Sequence, residues 1–165
     1  MAFAALHANA PASCKTLSLS ALVLVGLTSG ITLCVHFIVL TVGRQASEAT
    51  LPGFTQLFSW TWPPMVYSLE VAAWDFCLGF ALLLAAPVFA GDGLSAWVRR
   101  GMAMSGILCL GGLIGAVLGN MLLRNIGIVG YALVLPVVML GMARLFGATP
   151  TIDDARLNHP RQAVQ

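Results

Sequence analysis

Charge is scarce in this chain. Only 8% of its 165 residues are Asp, Glu, Lys or Arg, where a water-soluble domain carries about 25%. With 59% apolar residues and a mean hydropathy of +0.91, the chain belongs in a bilayer. A soluble enzyme is thereby excluded. Eight basic residues against six acidic ones leave no positive field for phosphates, which removes nucleic acid as a partner. The four cysteines contain no CxxC pair, so a disulfide scaffold, thiol redox chemistry and a thiolate metal site all lack support.

Catalytic motifs are also missing. Gly91-Asp92-Gly93-Leu94-Ser95-Ala96 fits G-x-G-x-x-A, but it follows an apolar helical stretch and lacks the strand that a dinucleotide fingerprint requires. P-loop, zinc-protease and nucleophile-elbow signatures do not occur. His36 is the only histidine inside an apolar stretch, which rules out a haem held by two histidines of this chain. Thiol-oxidising quinone reductases would need paired cysteines, and small multidrug exporters a glutamate deep in the first span; neither is present. No cofactor, no metal and no enzymatic activity are expected.

What the chain does have is long apolar runs. Four of them, residues 16–43, 76–91, 101–123 and 125–143, carry no Asp, Glu, Lys or Arg and measure 28, 16, 23 and 19 residues. About 20 helical residues cross roughly 30 Å of hydrocarbon. The third and fourth runs are separated by Arg124 alone and as one helix would reach about 65 Å, so the chain must turn there. Asn120, Asn125 and Gly127 supply the turn chemistry. The second run spans only by extending back to about Val71, which draws Asp75 into the membrane. The predicted fold is therefore all-α, an integral membrane four-helix bundle with spans at about 19–43, 70–90, 101–123 and 126–146. Residues 1–16 form an amino-terminal segment, 44–65 an outer interfacial loop and 147–165 a disordered tail. The uncharged run after Lys15 is too long for the h-region of a signal peptide.

Orientation follows from the basic residues. Lys15, Arg99, Arg100, Arg144, Arg156 and Arg161 fall on one side of the bundle and Arg44 and Arg124 on the other, which predicts both termini in the cytoplasm. One lysine against seven arginines suits a GC-rich genome, and a bacterial inner membrane is the expected location. Trp60 and Trp62 on the outside and Trp97 on the inside are the expected interface anchors. Phe54, Leu57 and Phe58 share one helical face of the outer loop, which is either an aromatic belt or a lid. Small residues recur every four positions as Gly26, Gly30 and Cys34, as Ala73, Cys77, Ala81 and Ala85, and as the packing stripe Gly111, Gly115 and Gly119. Such stripes let backbones approach closely, within one bundle or between copies. Pro87 and Pro136 should disturb the second and fourth helices.

The candidate site is a polar cluster in the outer leaflet: His36, Asp75, Asn120, Arg124 and Tyr131. Asp75 lies about 6 Å inside a helix that starts at Val71, and its expected partner is Arg124 or His36. Arg124 itself is expected at the hairpin surface. Glu70 is expected at the helix mouth in water, about 140° around from Asp75, so the two carboxylates do not form one site. Two functions compete. The first is a non-catalytic structural or accessory membrane module whose partners are lipid, a membrane subunit or a second copy. The alternative is a homo-oligomeric cation- or proton-coupled carrier or channel using Asp75 and His36. Water access to Asp75 discriminates between them.

Overall fold

The computed structural model describes residues 1–147. The expected disordered tail beyond Gly147, with Arg156 and Arg161, lies outside the described residues. Helices account for the architecture, with no strand among the described residues. They are α1 (Ala2–Asn9), α2 (Lys15–Gln45), α3 (Phe54–Phe58), α4 (Met65–Val88), α5 (Leu94–Val117) and α6 (Met121–Gly147). The four long helices are each long and apolar enough to cross a membrane. Successive long helices pack together, α2 on α4, α4 on α5 and α5 on α6.

Three boundaries differ from the sequence reading, each for a local reason. α4 begins at Met65 behind Pro63 and Pro64, because a proline has no N–H to lose at a helix start. Asp75 is therefore ten residues into the helix, or about 15 Å, deeper than expected. The α5–α6 turn is at residues 118–120, before Arg124. Gly119 takes φ +67°, and the N–H groups of Gly119 and Asn120 return to the carbonyls of Ala116 and Gly115 at 3.2 and 2.8 Å, a Schellman stop. Asn120 then caps α6, its Oδ1 accepting from the Leu123 N–H at 3.1 Å. Asn125 and Gly127, expected in the turn, are helical. α5 also starts earlier than expected, so Arg99 and Arg100 lie within its first turns.

The amino-terminal segment is folded as well. α1 buries Phe3 and Leu6 in the main apolar core, with Leu82, Phe89, Val98, Met102 and Met142. His7 Nδ1 meets Ser18 Oγ at 2.8 Å, and the Lys15 ammonium donates to the His7 and Ala8 carbonyls at 2.7 and 3.1 Å. This core fills the end of the bundle opposite the 46–64 loop. Trp97, 45% exposed, stands at the same end beside Gly141.

Glycines set the approach of α5 to α6. At Gly115 a Cβ would run into the backbone of Leu123 and Arg124, and at Gly112 it would fall 2.8 Å from Gly127 Cα. Gly111 meets only Ile126, at 3.8 Å, and Gly119 is the helix stop, so the contact runs through Gly112 and Gly115, and the i+4 stripe describes it only in part. On α2, a Cβ at Gly26 or Gly30 would meet nothing within 4 Å.

Candidate functional site

Two wide helical turns build the polar end of the bundle. Residues Ala72–Cys77 of α4 and Val129–Val134 of α6 are π-helical; the second precedes Pro136, whose ring nitrogen has no hydrogen to donate. π turns free carbonyl groups, which need partners away from water. Hydroxyls from the neighbouring helices supply them: Thr28 Oγ1 donates to Ala73 O at 3.1 Å and Ser105 Oγ to Gly130 O at 2.8 Å.

Asp75 sits on the first wide turn and is fully buried, with Arg124 3% exposed beside it. Arg124 Nε lies 3.5 Å from Asp75 Oδ2. Gly127 makes room for the carboxylate, since a Cβ there would land on Asp75 Oδ1. Arg124 also donates from Nη2 to the Tyr131 hydroxyl at 3.3 Å, and its Cζ stands 5.3 Å from the centroid of the Tyr67 ring. Of the two partners expected for Asp75, the structure pairs it with Arg124. The expectation that Arg124 lies at the hairpin surface is corrected, because the turn closes at Asn120 and carries Arg124 one helical turn inward.

His36 belongs to a second pair. Its Nδ1 is 3.4 Å from Glu70 Oε1 and 2.9 Å from the Thr32 carbonyl. Glu70 is 7% exposed, which overturns its expected place in water. The longer α4 carries it inside, where Trp74 Nε1 donates to Oε2 at 2.9 Å and Thr32 Oγ1 at 3.4 Å. Neither carboxylate contacts the other; each has its own basic neighbour. Asn120, exposed, serves as a helix cap and takes no part in the cluster.

A cleft of about 370 Å³ opens between the pairs, lined by His36 and Glu70 on one side and Arg124 and Tyr131 on the other. Trp74 packs on Tyr131 with ring centroids 5.1 Å apart. Trp60, 49% exposed, reaches the cleft from the loop, 6.2 Å from His36 and 6.3 Å from Tyr67 between centroids. Trp62 leans on Tyr67 at 5.9 Å. Trp60 thus both lines the cleft and stays half exposed, which fits either reading of the loop. Glu70, Thr32, Tyr67 and Trp74 are the members the sequence reading missed. Pro63-Pro64, read as a helix start, would have brought Glu70 and Tyr67 inside.

Among the described residues no group of three or more His, Cys, Asp or Glu side chains could hold a metal ion. The arrangement offers two carboxylates, one guanidinium, one imidazole, two phenols and the Thr32 hydroxyl, which donates to Glu70 Oε2 at 3.4 Å. Comparison with known proteins finds no family model, no curated protein and no solved structure that matches this chain.

Proposed function

We propose that the chain is a non-catalytic multi-pass protein of the cell membrane, a structural or accessory module. Both termini lie in the cytoplasm and the 46–64 loop outside, as the basic residues require. The observation that carries this reading is the complete burial of Asp75 against Arg124 and Gly127. A carrier must expose its carboxylate to water on at least one side, whereas an ion pair that pins helices together is sealed. The pair joins the middle of α4 to the start of α6, which also meet where Trp74 packs on Tyr131 and Arg124 covers Tyr67.

The accessory role draws support from α2. Only 11% of its most apolar window is buried, against 50% in α4, and Gly26 and Gly30 are open to close approach. Lipid, a partner subunit or a second copy covers that face.

Proton or cation flux into liposomes that contain the purified protein tests the reading. We expect no flux above empty liposomes for the wild type and for Asp75→Asn, together with a lowered melting temperature for the variant. Flux in the wild type that Asp75→Asn abolishes without loss of stability would establish the carrier instead.

A further inference from the structure

Glu70 Oε1, 3.4 Å from His36 Nδ1, is a buried carboxylate oxygen without a hydrogen-bond partner, as are both oxygens of Asp75. Arg124 is matched by Asp75 at 3.5 Å. His36 Nδ1 faces the Thr32 carbonyl at 2.9 Å and so carries its hydrogen toward that oxygen. Glu70 Oε2 is satisfied by Trp74 and Thr32, but Oε1 is buried without a hydrogen-bond partner. A carboxylate oxygen in that condition is costly, and more so away from water. It borders an open cleft of about 370 Å³, within the size range of small-molecule sites.

The walls of the cleft are aromatic. Trp60, Trp74 and Tyr131 line it, while the face of Tyr67 is covered by Arg124. Indole and phenol faces attract cations, and a buried carboxylate accepts strongly from an ammonium N–H. Arg124, which also lines the cleft, is held by Asp75 at 3.5 Å, and Glu70 has only the His36 imidazole beside it, so a cation supplies the charge that a neutral ligand would not.

We infer that the cleft between His36, Trp60, Glu70 and Tyr131 is a binding site for a small organic ammonium ion with an apolar body. The ammonium donates to Glu70 Oε1 and the body packs against Trp74 and Tyr131. Trp60 closes over it from the 46–64 loop, so the site faces the same side of the bundle as that loop.

Calorimetric titration of the full chain in phosphatidylcholine nanodiscs tests this, with phenethylammonium chloride as the probe and 2-phenylethanol as its neutral counterpart. Heats from empty nanodiscs are subtracted to remove partitioning into lipid. The expected result is saturable binding of the ammonium and none of the alcohol. Glu70→Gln, which keeps the acceptor for Trp74 and removes the charge, should weaken binding about tenfold or more, as for a lost charge-assisted hydrogen bond. Trp60→Ala sits on the loop, outside the packed core, and should weaken it about two- to fivefold. Equal binding of ammonium and alcohol, no saturable binding of either, or an affinity unchanged in a folded Glu70→Gln variant would each overturn the assignment.

Discussion

At Gly115 a single hydrogen sets the distance between two helices. The backbone of Leu123 and Arg124 occupies the space a Cβ would need, so even Gly115→Ala overpacks the contact. Such insertions cost about 1–3 kcal/mol. Gly26→Ala, on the open face of α2, should stay within about 0.5 kcal/mol of wild type. Thermal unfolding in detergent checks the contrast, and equal melting temperatures for the two variants would mean that α5 and α6 do not touch at Gly115. Sequence spacing located Gly115 correctly as a close-packing candidate but grouped it with Gly119. A small residue every four positions looks the same whether it lies on the contact or stops the helix, and only the left-handed backbone at Gly119 separates the two.

Among the elements, the long helices were legible because a bilayer demands length and apolarity, which can be counted. Their ends were less so. Charge-free runs mark where charges stop, while hydrogen bonds mark where helices stop, and in α4 the two differ by more than a turn at Glu70. α1 was missed because an eight-residue helix is made by what it packs against, here the start of α2 and the apolar core that takes up Phe3 and Leu6. The π turns were not readable for the same reason: Thr28 and Ser105 come from other helices.

The loop element carries its own titration. Glu48 accepts from the Gly53 and Thr55 N–H groups at 3.1 and 2.7 Å. These hydrogen bonds, that of Thr55 foremost, hold its carboxyl below the ordinary glutamate value. A depressed value means that the bonds stabilise the loop at neutral pH and that this support is lost as pH falls through the folded-state value. The amide resonances of Gly53 and Thr55 should therefore shift together on acidification, with a midpoint below that of an unstructured glutamate. Glu48→Gln should remove the transition, and its persistence in that variant would assign it to another group.

At the scale of the whole molecule, the bundle is divided along its axis. One end is closed by an apolar core that includes α1, and the other holds the Asp75–Arg124 ion pair and the His36–Glu70 contact beneath an aromatic loop. The existence of a polar layer was legible from Asp75, His36, Arg124 and Tyr131, because ionisable residues within apolar runs stand out. Who pairs with whom was not, since pairing depends on helix register and on a π turn. The orientation proposed from the basic residues has its own test: a periplasmic reporter should be active when fused at residue 50 and inactive when fused at residue 165. The reverse pattern would invert the orientation given by the basic residues.

The central claim is that Asp75 and Arg124 form a sealed lock, and a double-mutant cycle in detergent or nanodiscs measures it. Asp75→Asn and Arg124→Gln should each destabilise by about 3–5 kcal/mol, the cost of leaving a buried charge unpaired. The double variant should recover about 1–3 kcal/mol of their sum, while Asp75→Asn combined with His36→Gln should be additive, because His36 faces Glu70. Single variants of wild-type stability, with no coupling between positions 75 and 124, would contradict the account.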